Sequence, residues 1–337
     1  MTIEVLAGKL LAVVGITVFA LVCGLFFKGI DRIVAARMQS RIGPPLWQPY
    51  WDIQKLLLKE TVVPENAIPW IFNGAPILAL ISAITILLYI PMGGVGPVLE
   101  GRGDLILILY LFTLPAVAMV AGGFASGSPY AAVGSQREMV TMMSYEFPLA
   151  AVVITLAWKL WAAYGAGTAG FYAFSLSAFA DYPVWGSVGI VGGIGLLLTL
   201  LALLVVTPAE LSKVPFDAPE AEEELAGGLL VEYSGRNLAL FYLGEAVKTL
   251  VMSALIVALF FPYNLAPVLG MGGTGALVVD FVFFWVKTLV VMLVAVTYVR
   301  IALARLKVDQ IAYLYWVPVL GLSLGGLALV VIDHFLF

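Results

Sequence analysis

The sequence predicts an all-α, polytopic membrane protein with about eight transmembrane helices and a short interfacial amphipathic helix. Three observations predict it. Of 337 residues, 62% are hydrophobic and only 11% charged, where a soluble domain carries about 25% charged residues. Apolar runs able to cross the hydrocarbon core, a distance of about 20 helical residues, recur along the whole chain. Lysine and arginine then crowd alternate connections, the bias that orients multi-span proteins.

The runs are Leu6–Phe27, Pro76–Ile90, Leu105–Phe124, Phe147–Ala163, Val188–Val206, Leu238–Phe261, Leu277–Ile301 and Leu314–Ile332. The second is short and is expected to begin before Pro76, near Trp70. The first is too long and too weakly charged at its start for a signal peptide, and no small-residue cleavage site follows it. Connections after the odd spans carry Arg32, Arg37, Arg41, Lys55, Lys59, Arg137, Lys213, Arg236, Arg300, Arg305 and Lys307; those on the other side carry Arg102. The chain is therefore read as one membrane domain over residues 1–337. Residues 31–70, 125–146, 209–237 and 302–313 are its cytoplasmic connections, and both termini lie outside.

In the first connection Arg37 and Arg41, four apart, are expected to share a helix face. Gly43, Pro44 and Pro45 then break the helix. After Pro49, Ile53, Leu56 and Leu57 fall on one face and Asp52, Lys55 and Lys59 on the other. With Trp47 and Trp51 nearby, this reads as a helix lying in the interface plane. The second connection is rich in small residues, and Glu146 stands just before the fourth apolar run, where the helix dipole favours an acid. Lys28 and Lys159 lie near enough to span ends to snorkel, and Lys248 is placed to snorkel or to pair with Glu245. Lys287 falls mid-span, where a charge costs about 2.5–3.5 kcal/mol; with Asp280 two turns away, it is a candidate functional group.

The third connection is the densest in charge. From Glu210 to Glu245 the chain places Glu210, Asp217, Glu220, Glu222, Glu223, Glu224, Glu232 and Glu245 against Lys213 and Arg236 alone. These acids alternate with Val214, Pro215, Phe216, Leu225, Leu229, Leu230 and Val231, which favour burial. Carboxylates held against apolar surface find partners or hold protons. Glu220 and Glu224, read as i and i+4, are expected to repel and to raise at least one pKa. One cysteine (Cys23) and one histidine (His334) cannot supply a Cys₄ iron–sulfur site, paired-His haem ligation or a His/Cys zinc site. Neither a phosphate-binding glycine loop nor a basic patch for nucleic acid is present. If redox chemistry is involved, the electrons travel in a partner.

Three motifs carry a resemblance. VPFDAPEAEEEL followed by VEYSG, SYEFP, and VRIALARLKVDQ together resemble the membrane anchor subunit that forms the quinone chamber of respiratory complex I and has a counterpart in energy-converting membrane-bound [NiFe] hydrogenases. The resemblance runs from about Arg37 to Asp309. RIGPPLWQP is a contracted form of the complex I segment, and it resembles the hydrogenase branch, as does SPYAAVGSQREMV. Lys213 stands where an arginine is usual, and Ala304 and Val308 replace a proline and a tyrosine.

The resemblance implies a subunit in the prokaryotic cytoplasmic membrane that holds no cofactor itself. It docks a peripheral redox arm and couples electron transfer there to proton or sodium translocation. The [NiFe] centre and the iron–sulfur clusters are expected in partners: a [NiFe]-hydrogenase-like large subunit, iron–sulfur subunits and antiporter-like membrane subunits. Proton-coupling roles fall to Glu146, Glu210, Asp217, Glu220, Glu222, Glu224, Glu232, Glu245 and Lys287. Arm-docking or ion-pairing roles fall to Arg37, Arg41, Lys213, Arg300, Arg305 and Asp309. The alternatives are a quinone-binding subunit of a respiratory dehydrogenase, and a stand-alone ion channel or carrier. The second would place its charges near mid-membrane, which this sequence does not.

Overall fold

A computed structural model describes residues 3–165, 171–186 and 188–336. Among these, eight helices are long and apolar enough to cross a membrane, and no strand occurs. In chain order the elements are α1 (Ile3–Met38), α2 (Gln48–Leu58), α3 (Pro69–Leu87), α4 (Asp104–Ala125), α5 (Pro129–Leu160) and α6 (Leu176–Asp181). They continue with α7 (Ile190–Glu210), α8 (Glu222–Leu225), α9 (Gly235–Phe260), α10 (Gly273–Met292), α11 (Val299–Ala302), α12 (Val308–Leu314) and α13 (Leu320–Leu336). A π-helical segment, Leu293–Tyr298, joins α10 to α11 in one span, and another, Tyr315–Val319, joins α12 to α13.

The bundle is built around α9. Of its most apolar stretch 83% is buried, against 22% for α1. Small residues let the neighbours close on it, as at membrane helix interfaces generally. A Cβ on Gly24 of α1 would lie 3.2 Å from the Ala246 backbone, and one on Gly244 would lie 3.6 Å from Leu80 of α3. Because α9 is enclosed, polar side chains on its first turns face protein rather than lipid.

Three boundaries differ from the sequence reading. The fourth span begins at Pro129, not near Phe147, so most of the expected connection 125–146 is helix. Its small residues form a packing face: Ala131, Gly134, Ser135, Thr141 and Ser144 are all buried. The expected connection 302–313 shrinks to 303–307, because α12 starts at Val308. Helix α1 stops at Met38 with Ser40 left-handed (φ 57°). The Arg41 and Ser40 amides return to the Ala36 and Arg37 carbonyls, which is the Schellman closure. Arg41 therefore lies beyond the helix and shares no face with Arg37. The interfacial helix is α2, with Pro49, Ile53 and Leu56 buried as expected. Leu57 departs from the expectation: it is exposed.

Candidate functional site

The chain leaves α7 at Glu210 and re-enters the bundle at Gly235. Between them it forms two short turns and α8, pinned by its apolar residues: Phe216, Ala218, Ala221, Leu225 and Leu229 are buried. Pro219–Leu229 lies directly on α5. A Cβ on Gly134 would stand 2.8 Å from the Leu229 amide and 2.9 Å from the Pro219 carbonyl. Ala226, Gly227 and Gly228 all take positive φ, the reversal that brings Leu229 back onto α5 after the acids of α8. The alternation of acids with apolar residues thus sorts the acids by depth.

The outermost acids are Glu222, Glu223 and Glu224, all exposed. Arg137 of α5 reaches Glu224 at 2.5 Å, and that hydrogen bond holds the Glu224 carboxyl below its usual range. Arg305 clamps Asp217 through two bonds of 2.9 and 2.6 Å, the bidentate geometry that fixes orientation as well as charge. Arg137, Glu224, Arg305, Lys307 and Asp309 line an open surface groove of about 490 Å³. This is a charged rim facing away from the bundle.

A second, deeper layer lies between α1, α2 and α9. Glu245 pairs with Lys28 at 2.8 Å and also with Lys213. Asp31 accepts from Thr297 at 2.6 Å and pairs with Arg300 at 3.1 Å; the π-helical segment carries Thr297, and Arg300 follows one turn later. Asp52 pairs with Arg32 at 2.7 Å. Burial works to raise the Asp52 carboxyl, but the Arg32 and Gln48 hydrogen bonds outweigh it and hold the carboxyl low. These charges, with Glu220, Leu25, Ile53, Leu56 and Leu238, line a groove of about 590 Å³. Burial pushes the Lys213 ammonium down to about 7, and the nearby Lys28 charge adds to the effect. Burial pushes the Glu220 carboxyl up, opposed by Lys213.

The third layer is the most enclosed. Glu210, at the end of α7, and Glu138, on α5, are 1% and 2% exposed. Lys248 of α9 stands 2.8 Å from the Glu210 carboxylate and donates to the Glu210 backbone carbonyl at 2.6 Å. A cavity of about 50 Å³ opens between them, bordered also by Ser212, Glu220 and Glu245.

The expected site residues therefore divide. Glu210, Glu220, Glu245, Lys213 and Arg300 converge on the two inner layers, and Asp217, Glu224, Arg305 and Asp309 form the rim with Glu222 beside them. Glu146 sits in the body of α5, not at a helix start, because the helix begins at Pro129; it is half-buried and its facing charge is Lys248. Glu232 is half-buried, and among the described residues it makes no hydrogen bond or ion pair. Arg37 and Arg41 are exposed and likewise unpaired among the described residues.

Two expectations fail on geometry. Glu220 and Glu224 are not one helical turn apart, since Ala221 is extended (ψ 102°) and separates their turns. Glu220 is raised by burial, whereas Glu224 is lowered by Arg137. Lys287 lies outside the site: its ammonium caps the Phe261 and Tyr263 carbonyls at 2.6 and 2.7 Å, where α9 ends. Asp280 accepts the Leu265 and Ala266 amides of the same turn. Lys248 pairs with Glu210 rather than with Glu245. The sequence reading missed Glu138, Asp31, Asp52 and Lys248 as site members. Glu138 was hidden because its segment read as a connection. Asp52 and Asp31 were hidden because their arginine partners, Arg32 and Arg300, lie 20 and 269 residues away in sequence.

This geometry has close relatives. The family model described as NADH dehydrogenase matches residues 11–331. Hydrogenase-4 component C of Escherichia coli (strain K12) is 33% identical over 302 residues, 90% of this chain and 89% of that one. An NADH-quinone oxidoreductase subunit of Rickettsia typhi is 31% identical over 332 residues, 95% of this chain and 91% of that one. Among solved structures, the membrane-bound sulfane sulfur reductase, an archaeal respiratory membrane complex, contains a similar chain. Its TM-score is 0.80 at 26% identity, covering 96% of this chain and 99% of that one.

Proposed function

We propose a function from one premise: the chain belongs to the NADH dehydrogenase family. It is a multi-pass membrane subunit of a complex I-like oxidoreductase complex. Within that frame our reading is the hydrogenase-type branch. The chain docks a peripheral redox arm on its charged rim and couples electron transfer there to proton or sodium movement. The contracted RIGPPLWQP segment supports this branch; the chain's relatives include both branches, hydrogenase-4 component C at 33% identity and an NADH-quinone oxidoreductase subunit at 31%. The partners proposed are a [NiFe]-hydrogenase-like large subunit, iron–sulfur subunits and antiporter-like membrane subunits. The setting proposed is a prokaryotic cytoplasmic membrane, with the acidic loop inside and both termini outside.

One observation carries the coupling. A single loop holds both the rim acids Asp217 and Glu224 and the half-buried Glu220, and it starts at Glu210. Asp217 and Glu220 are joined by one helical turn, since the Glu220 amide bonds the Asp217 carbonyl at 3.1 Å. A docked partner that shifts Arg305–Asp217 therefore moves the half-buried Glu220 carboxyl, whose charge state depends on its distance from Lys213. The loop converts a surface event into a change of protonation at depth.

The test is the ratio of ions moved to electrons transferred by the assembled complex in sealed vesicles. Glu220→Gln keeps size and removes the charge and its proton, and the ratio should fall severalfold while electron transfer to a soluble dye is kept. Glu224→Gln should instead weaken arm retention in detergent, leaving the ratio near wild type in whatever stays assembled. An unchanged ratio in fully assembled Glu220→Gln overturns the coupling reading.

A second reading, quinone binding, is favoured by the groove of about 590 Å³, which joins apolar Leu25, Ile53 and Leu56 to a charged end. A photoreactive quinone analogue that labels α1 or α2, and is displaced by unlabelled quinone, would support it.

A further inference from the structure

The small cavity is bounded by groups whose hydrogen-bonding capacity the protein itself does not meet. Lys248 reaches one carboxylate oxygen of Glu210 at 2.8 Å and also donates to the Glu210 backbone carbonyl. The second carboxylate oxygen has no partner among the described residues, although the residue is 1% exposed. Glu138 is reached by the Ser212 hydroxyl at 3.5 Å, a distance of weak bonding. The buried Tyr145 hydroxyl, in the electrostatic neighbourhood of both carboxyls, has no partner either.

Buried polar atoms are nearly always satisfied by protein or by ordered water. A cavity of about 50 Å³ exceeds the roughly 10–15 Å³ that one water requires. The volume suits a few waters, and the oxygens around it supply the two to four polar contacts each would need.

Charge balance gives the rest. From α9 the cavity faces Lys248 and Glu245, from the loop Ser212 and Glu220, and from α5 Glu138, with Glu146 farther along. Tyr145 lies near both carboxyls without lining the cavity, and the Tyr315 hydroxyl donates to the Val205 carbonyl. Glu245 is already matched by Lys28 and Lys213, and Glu220 faces Lys213. That leaves Lys248, which pairs with Glu210 and whose charge also acts on Glu138. Two carboxylates against one ammonium leave an uncompensated charge between Ala79, Ala116 and Phe241. Like charges confined together do not both ionise, so one carboxyl keeps its proton.

We propose that Glu138 and Glu210 share one proton through water in this cavity, with Lys248 as their common counter-charge. At rest the trio holds one carboxylic acid, one carboxylate and one ammonium. The inference rests on the coupling function proposed above and names its inner proton store. Neither carboxyl acts alone, and Glu138 is as necessary as Glu210. Ser212 and Glu220, both on the loop, form part of the cavity wall, so loop movement alters the water between the two acids.

The experiment is infrared spectroscopy of the assembled complex at neutral pH, comparing each variant with wild type in H₂O and D₂O. The signal is the C=O stretch of a protonated carboxyl that shifts on deuteration. Glu138→Gln should lose one such band, because Lys248 then fully neutralises Glu210 as a carboxylate. Glu210→Gln should lose the same band for the same reason. Lys248→Gln should gain a second band, since both carboxyls then keep protons, and this opposite change keeps the test decisive if either glutamine variant fails to assemble. Equal band intensity in wild type and Glu138→Gln, or no gain in Lys248→Gln, overturns the shared proton. The readout needs no pumping, so its failure is separate from a failure of the ion-to-electron ratio. Loss of the ratio with the band intact in every variant would leave coupling standing and remove this pair from it.

Discussion

Lys213 has a titration where ordinary lysines have none. Burial brings it to about 7 from an ordinary value of 10.5, and the sign of the consequence follows from linkage. Between pH 7 and 10.5 the unfolded chain holds this proton and the folded one does not, so stability rises with pH across that window. Below about 7 both states are protonated and the penalty is constant. Glu220 acts with the opposite sign: its carboxyl, raised by burial, binds a proton more readily in the folded state, so its contribution falls as pH rises through its titration. Replacing Lys213 with Met should therefore flatten the alkaline rise in the melting temperature of the assembled complex. Melting curves from pH 7 to 10 check this, and an equal slope in both proteins rejects it. The acids of this site were legible in sequence, because eight of them alternate with apolar residues. Their partners were not: Lys28 meets Glu245, and Arg300 meets Asp31, across 217 and 269 residues, and no local pattern encodes such pairings.

At the scale of elements, α5 shows how a helix can hide in a sequence. Hydropathy found its apolar half after Phe147, whereas Gly134, Ser135, Thr141 and Ser144 resembled a loop. They are small because neighbours close on this face: the acidic loop lies against Gly134, and Ser135 bonds the Val120 carbonyl of α4. Gly134→Ala places a methyl within 2.9 Å of loop backbone, and overpacking of this kind costs about 1–3 kcal/mol. The loop, whose helical turns are only three or four residues long, should yield before α5 does. Limited proteolysis in the Leu211–Ser234 region should therefore speed up severalfold in Gly134→Ala, with the helical content of the complex unchanged. Cleavage at the wild-type rate would show that the loop is not seated on α5. The interfacial helix α2 was easier to read, because Ile53 and Leu56 announce its buried face. Leu57 and Leu58, 52% and 84% exposed, extend its apolar surface outward on the side where a bilayer or partner lies.

Across the whole molecule the charges are unevenly built. At the end bearing the acidic loop, acids and bases form linked layers from rim to cavity. At the other end several described charged groups close local contacts: Asp280 takes two amides, Lys287 two carbonyls, Asp333 the Gly189 amide and Asp104 the Ser175 hydroxyl, and Arg102 lies over the Tyr172 ring. The first arrangement can transmit a change of charge; the second only closes turns. A free-standing carrier would concentrate its ionisable groups at mid-membrane between repeats, and this chain concentrates them at one end. From the lysine and arginine bias we propose that this end faces the inside. Ser40 lies in the connection between α1 and α2, Gly272 between α9 and α10, and both are exposed. The two connections are separated by five further spans, so they emerge on opposite sides of an eight-span bundle. Cysteines at Ser40 and Gly272, each in a Cys23→Ser background, should then label from opposite faces with a membrane-impermeant maleimide: Gly272 in intact cells, Ser40 only after the membrane is opened. Labelling of both in intact cells would break the span count. Exchange of the two patterns would keep the count and invert the orientation, placing the acidic loop and its docking rim outside, where no cytoplasmic redox arm could reach them.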